Sequence, residues 1–307
     1  YTLEQALWKA DDDTLSEMAP RLVNYVNTVT EKLGRVHVNE GFAASNRDLS
    51  STLVPLGCDH VALGRYVDTE LTRHVTRTRQ ADLVVFSGIK INKLDDLEQI
   101  LARGTVRMVI AAGGLALALK AAAARQAGRE FGLGLAGDPT HSKIYIPPSR
   151  IEQASRMYRQ GLAAGVEFVL PVDFVLGDGS ANQTIPDGEA QFDVGPDTRL
   201  EQANAVGRFL DFHRRQVESG GRPAIAFHNG VFGLFEEEAF ETGTREFIGQ
   251  LKRMTESGVE VYVGGGEGGT ALARYGHPDW VTHCFTAGGT ILKALGNEPI
   301  PYIKALY

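Results

Sequence analysis

Cysteine is almost missing from this chain. Its 307 residues include two, Cys58 and Cys284, far apart and in neither a C-x-x-C nor a Cys/His spacing. That excludes a disulfide-stapled scaffold and a thiolate metal centre, and leaves two reduced, structural thiols as the expectation. No apolar run reaches the length a membrane helix needs. The first residues, Y-T-L-E-Q-A-L-W-K-A-D-D-D, lack the charged-then-apolar order of a secretory leader, so a cytoplasmic location is expected. Positive charge is not in excess either: 31 Lys and Arg against 38 Asp and Glu give a net charge of −7. Such a balance offers no basic stripe to a nucleic-acid backbone or an anionic membrane, and neither is an expected partner. An anionic small molecule would have to be met by local donors.

What the chain has is glycine, 35 residues of it, beside an ordinary hydrophobic fraction of 43%. Its length suits two domains. Leu15, Met18, Leu22, Val23, Val26 and Val29 follow a cap-like D-D-D-T at near-helical spacing and predict an amphipathic helix within residues 1–33. A short strand is expected at Val36–Asn39, and a charged helix linking two lobes at 64–80. Beyond Ala81, buried strands at 83–86, 106–110, 168–170, 224–227 and 259–263 alternate with helical stretches, the pattern of a parallel sheet with helices on both faces. The expected class is therefore α/β, with domains at 1–80 and 81–307 and the last residues free to return to the first lobe. Residues 177–199, rich in Gly, Asp, Pro and Asn, read as a long surface connection.

Ligands of open parallel sheets bind beyond the carboxyl ends of the strands. There the chain reads S-G-I-K-I-N-K, A-A-G-G-L-A, H-N-G-V-F-G-L-F-E, G-G-G-E-G-G-T and F-T-A-G-G-T. The stretch 261–270, V-Y-V-G-G-G-E-G-G-T, predicts a strand, a phosphate-sized loop and a helix start near Ala271. Glycine lets backbone N–H groups approach an anion, and Glu267 is placed to hold a magnesium ion carried in on a nucleotide. The alternative is a tight turn that binds nothing. Lys90 and Lys93 have the spacing to reach two phosphates, or are a solvated pair at a helix start. Glu236 suits ribose hydroxyls, or is part of an acidic first helical turn. Gly288 and Gly289 form a second anion-friendly helix start. Arg47, in a loop of small residues, is either solvated surface or a bidentate grip on a carboxylate or phosphate.

In this order the motifs resemble phosphoglycerate kinases. The family's G-G-A-K-V-x-D-K, P-V-D-F, D-I-G-P, W-N-G-P-x-G-V-F-E, G-G-G-D-T and S-T-G-G-G-A are similar to S-G-I-K-I-N-K, P-V-D-F (171–174), D-V-G-P (193–196), H-N-G-V-F-G-L-F-E (228–236), G-G-G-E-G and F-T-A-G-G-T. The resemblance implies a two-lobed phosphoglycerate kinase-like fold with a Rossmann-like parallel sheet in the C-terminal lobe. It implies ATP or ADP with Mg as cofactors and a small carboxylic acid as partner; it leaves the oligomeric state open. Carried over by position, Lys90 stabilises the transferring phosphoryl with the Gly288 and Gly289 N–H groups. Lys93 contacts the nucleotide phosphates, and Gly88, Gly230, Gly265, Gly266 and Gly268 belong to the nucleotide site. Gly113 and Gly114 border the base, Asn229 and Glu236 serve nucleotide and ribose, Glu267 takes the magnesium position, and Arg47 grips the acid.

Departures accompany the match. The family's R-V-D-F-N-V-P strand and H-L-G-R-P loop have no counterpart, and N-R-D-L stands where the family has H-R-A-H. Glu267 replaces the magnesium aspartate, Gly268 the following threonine, and the lysines are one residue closer than usual. Two expectations follow. One is an ATP-dependent carboxylate kinase acting on an acid other than 3-phosphoglycerate; the other is a non-catalytic nucleotide-binding or interaction protein on the same fold.

Overall fold

A computed structural model describes residues 10–45, 49–296 and 300–306. The chain divides into two compact units, residues 77–285 and residues 1–76 with 286–307.

The first of these is α/β. Its main sheet has six strands, all parallel, in the order β11-β10-β9-β3-β4-β5. They are β3 (Leu83–Phe86), β4 (Met108–Ala111), β5 (Glu167–Val169), β9 (Ile225–Asn229), β10 (Glu260–Gly264) and β11 (His283–Phe285). β3, β4 and β9 are buried at every residue, as central strands between two helical layers must be. Their L-V-V-F, M-V-I-A and I-A-F-H-N sequences are continuous apolar runs rather than alternating ones for the same reason. Helices Lys93–Leu101, Gly113–Gln126, Pro148–Ala163, Pro196–Glu218, Thr242–Glu256 and Gly266–Tyr275 return the chain between strands. Val85, Ile110, Phe209, Phe247, Leu251 and Val261 belong to one buried core.

The strand order reverses between β3 and β9: β4 and β5 extend the sheet one way, β10 and β11 the other. Loops leaving the carboxyl ends of β3 and β9 therefore diverge and open a crevice, the usual place for a ligand in such a sheet.

Two readings from sequence are corrected here. Residues 177–199, exposed over most of 178–189, are not one long irregular connection. They hold β7 (Ala181–Asn182), β8 (Gln191–Val194) and the start of the Pro196–Glu218 helix, and the two strands flank β6 (Phe174–Leu176) in an antiparallel sheet. Gly177, Gly179 and Gly188 lie in turns between short strands whose Phe174, Leu176 and Val194 are buried, and Gly195 and Pro196 start the helix. The helix placed after the glycine run begins instead inside it, at Gly266. Glycine's poor helix propensity is overridden by packing, since a Cβ on Gly268 would stand 3.1 Å from Val263 Cγ1.

In the other unit, β1 (Val36–Asn39) and β2 (His60–Leu63) pair in parallel. Asp11 caps the Asp12–Leu33 helix by accepting from the Thr14 N–H at 2.9 Å. Residues 65–78 run as a short helix, a π-helical stretch at Glu70–Val75 and a last turn, and the boundary between the units falls after Thr76. Tyr302 is fully buried and donates its hydroxyl to the Ala62 carbonyl at 2.7 Å, which anchors the C-terminal segment on β2. Among the described residues no helix is long and apolar enough to cross a membrane.

Candidate active site

The glycine run after β10 turns on Gly265, whose φ of 101° lies where residues with a Cβ are strained. It feeds directly into the Gly266–Tyr275 helix. No side chain caps that helix, and its first two residues, Gly266 and Glu267, are exposed. Unpaired donors and the positive end of the helix dipole make this an anion-accepting start. Glu267 lies exposed in the same turn.

The loop after β3 meets it. Lys93 Nζ donates to the Ser87 carbonyl at 2.7 Å. A Cβ on Gly88, where φ is 112°, would stand 3.0 Å from Lys93 Nζ and 3.9 Å from Glu267 Oε2. An ammonium and a carboxylate from two different strand ends thus approach one backbone point. Burial pulls the Lys93 ammonium below its ordinary pKa, and the Glu267 carboxylate opposes that pull. Lys90 is exposed on the same loop, beside an exposed Ile89. Gly114 N donates to the Gly88 carbonyl at 3.0 Å. Cβ atoms on Gly113 and Gly114 would fall 2.4 Å from Gly88 O and 2.8 Å from Ile89 O. Both glycines are therefore buried against the 88–89 backbone, and Ile89 is exposed.

The loop after β9 is tied to both neighbours. Asn229 is buried, and its side-chain amide donates to the Gly264 carbonyl at 2.9 Å while its own carbonyl accepts from Ser87 N. Gly230 has φ 104°, and a Cβ there would lie 2.3 Å from Ser87 O. Farther along, Phe232 N donates to Thr244 Oγ1 at 3.1 Å and Leu234 N to Phe192 O at 2.8 Å. Arg274 and Tyr275 reach the Phe235 carbonyl at 2.8 and 3.1 Å, and both also bond Glu241. Glu236, the next residue, is exposed on this fastened loop.

Gly88, Lys90, Lys93, Gly113, Gly114, Asn229, Gly230, Glu236, Gly265, Gly266, Glu267 and Gly268 all sit just beyond, or at, the carboxyl ends of one sheet. Gly288 and Gly289 open the Gly288–Leu295 helix, which belongs with residues 1–76. Thr290 Oγ1 donates to Ala43 O at 3.0 Å, setting that helix start on the turn that precedes Arg47. Arg47 itself lies outside the described residues.

Several contributors escaped the sequence reading. Ser87 supplies the carbonyl for Lys93. His228 is buried with its ring stacked 5.5 Å from Phe247, and burial pushes its pKa down to about 4. Ser87 Oγ and His228 Nδ1 are buried without a hydrogen-bond partner among the described residues. Asp193, Thr244 and Glu241 fasten the Glu236 loop; only Asp193 carried a signal, inside D-V-G-P. Among the described residues no cluster of three or more His, Cys, Asp or Glu gathers to hold a metal. A lone exposed carboxylate beside an anion-accepting helix start fits magnesium that arrives with phosphates, since that ion keeps its waters and needs few protein ligands.

The phosphoglycerate kinase family model matches residues 9–298. A probable phosphoglycerate kinase of Caenorhabditis elegans is 28% identical over 90% of this chain and 62% of its own length. For phosphoglycerate kinase 2 of Mus musculus the figures are 27%, 94% and 65%. The phosphoglycerate kinase structure from Coxiella burnetii superposes with a TM-score of 0.66 at 25% identity, covering 90% of this chain and 66% of that one. The structure from Pyrococcus horikoshii OT3, at 21% identity and a TM-score of 0.67, shares the fold, with coverage of 88% and 64%. The chain thus spans a little under two thirds of the length of the relatives it matches. With its motifs in family order and the family model matching residues 9–298, this chain belongs to the phosphoglycerate kinase family.

Proposed function

We propose that this chain is a phosphotransferase that binds MgATP or MgADP at the carboxyl edge of the six-stranded sheet and moves the terminal phosphoryl group to or from a carboxylate, forming or consuming an acyl phosphate. The observation that carries the reading is the convergence of Lys93 Nζ and Glu267 Oε2 on Gly88, beside the open helix start at Gly266. Phosphoryl transfer asks a protein mainly for positioning and charge neutralisation, and a cation, a metal-ligating carboxylate and free backbone donors are the groups it needs.

In the forward direction a carboxylate oxygen of the acid forms a bond to the terminal phosphorus, the bond to the bridging oxygen breaks, and ADP leaves. Lys93 exchanges the Ser87 carbonyl for nucleotide phosphate. Lys90, exposed on the same loop, neutralises the transferring group, and Gly288 and Gly289 offer N–H groups at a helix start of the other unit. Magnesium bound at Glu267 would neutralise phosphate charge. Asn229 acts indirectly, by holding Gly264 and so the glycine turn. Gly113 and Gly114 admit the 88–89 loop, which presents Ile89 to the base, and Glu236 accepts from the ribose hydroxyls.

The acid is gripped by Arg47, the one cationic residue between 40 and 52. An acid other than 3-phosphoglycerate is favoured, because that substrate carries about three negative charges near neutrality and one guanidinium does not match them. Titration calorimetry with MgADP, followed by a hydroxylamine-trapping assay for acyl phosphate over a panel of carboxylic acids, tests the reading. Absence of heat at millimolar nucleotide with folded protein would overturn it. Nucleotide binding without turnover on any acid would favour the non-catalytic relative instead.

A further inference from the structure

We propose that Asp193 is a positioning residue for nucleoside recognition: its buried carboxylate sets the 230–236 loop against the Thr242–Glu256 helix and so fixes where Glu236 stands. This rests on the nucleotide-site reading above and assigns a role to a side chain that reading leaves unused.

Asp193 is 3% exposed, at the end of β8. One carboxylate oxygen accepts from its neighbour's Val194 N–H at 2.8 Å and the other from the Gly243 N–H at 2.8 Å, at the start of the Thr242–Glu256 helix. Two glycines make room for it. A Cβ on Gly233 would lie 2.6 Å from Asp193 Cγ, and one on Gly243 would lie 2.3 Å from Asp193 Oδ1. The carboxylate is therefore wedged between the loop that leads to Glu236 and the helix that follows it. Among the described residues no cation bonds it; the neighbouring Arg199 donates instead to Val194 O at 3.3 Å and to Glu246 at 3.1 Å. Burial pushes the carboxyl up to about 6, chiefly against the two N–H bonds.

A carboxylate kept in a poorly solvated slot, with amides as its hydrogen-bonding partners, holds those amides in place through both oxygens. The loop has other fasteners: Phe192 O takes Leu234 N from the same strand, and Phe192 stacks on Phe240 at 4.9 Å. Asp193 is the one that packs on the Gly233 backbone, three residues before Glu236. An amide in its place keeps the volume and one acceptor, but turns an N–H donor toward another N–H. The expected result is a displaced loop in a folded protein.

The test is Asp193→Asn, read by calorimetry with ADP and with 2′,3′-dideoxy-ADP, so that phosphate contacts cancel in the ratio. Wild type should prefer ADP by about fivefold or more, the scale of one to two hydrogen bonds. The variant should lose most of that preference while its melting temperature stays within a few degrees. A preserved preference in the variant overturns the proposal, even if its melting temperature falls. Hydrogen exchange of the 230–238 segment is the second measurement and needs no ligand. Faster exchange there in the variant, with β3 and β4 unchanged, is expected, and unchanged exchange overturns the proposal even if no nucleotide binds and the broader reading has failed. Asp193→Ser, which keeps one acceptor in a smaller side chain, serves both measurements if Asn is not tolerated.

Discussion

Replacing Lys93 with methionine separates two accounts of a lysine that bonds its own backbone. The thioether chain keeps the stem's packing and removes the ammonium. In the free protein the loss falls on the Ser87 carbonyl, which gives up its 2.7 Å partner. An unsatisfied buried acceptor costs about 1–3 kcal/mol, but the ammonium is itself disfavoured by burial, so the two effects partly cancel. We expect a net loss of at most about 1–2 kcal/mol, or a fall of roughly 2–8 °C in melting temperature. On the proposed reading, the group missing from the nucleotide complex is a charge-assisted donor to phosphate worth about 1.5–3 kcal/mol, so MgADP should weaken by roughly 10- to 150-fold. Adenosine, which has no phosphate, should bind the variant and wild type alike. Calorimetry with both ligands and a thermal melt measure the three quantities. Equal weakening of MgADP and adenosine would make Lys93 a loop fastener and refute its phosphate role; an unchanged MgADP affinity with a lowered melting temperature would do the same.

Lys90→Ala should leave MgADP affinity within a few-fold and lower turnover by about two to three orders of magnitude, as loss of one preorganised donor does; equal losses in both would contradict the assignment. 3-Phosphoglycerate should turn over poorly in a coupled assay beside the best acid of the panel, and comparable rates would refute the altered-substrate reading. Gly230→Ala forces φ 104° on a residue with a Cβ and drives that atom against the Ser87 carbonyl. Urea unfolding should show a loss of at least about 2 kcal/mol, and a change below about 0.5 kcal/mol would mean the turn relaxes freely. Burial pushes the Asp193 carboxyl up to about 6 in the folded protein, against its ordinary 3.8. The native state binds the extra proton between those values, so this group's contribution, roughly 3 kcal/mol at most, is fully present below pH 3.8 and is lost as the pH rises through 6. Unfolding curves between pH 4 and 7 should therefore differ in slope between wild type and Asp193→Asn; parallel slopes would refute the linkage.

The primary sequence by itself determined the α/β class, the strands of the parallel sheet and most of the residues at its carboxyl edge. It did so because these features are local. Continuous apolar runs mark strands buried on both faces, and glycine marks the points, such as Gly230 and Gly265, where the backbone must take positive φ. What depends on contacts between distant segments was decided only in three dimensions. The helix start at Gly266 was hidden by glycine's low helix propensity, which packing on Val263 outweighs. β7 and β8 were hidden because their pairing with β6 is non-local and their turn residues mimic a loop. Gly113 and Gly114 lie against the 88–89 backbone, a contact between distant segments, and Ile89 is exposed. The Gly288–Leu295 helix follows β11 directly in sequence, yet it packs with residues 1–76, where Thr290 finds its acceptor at Ala43. Spacing shows which residues reach a strand end together. Which of them stay open to a ligand, and which are used up holding the backbone, depends on hydrogen bonds such as Lys93 to Ser87 and Asn229 to Gly264, whose partners no local pattern announces.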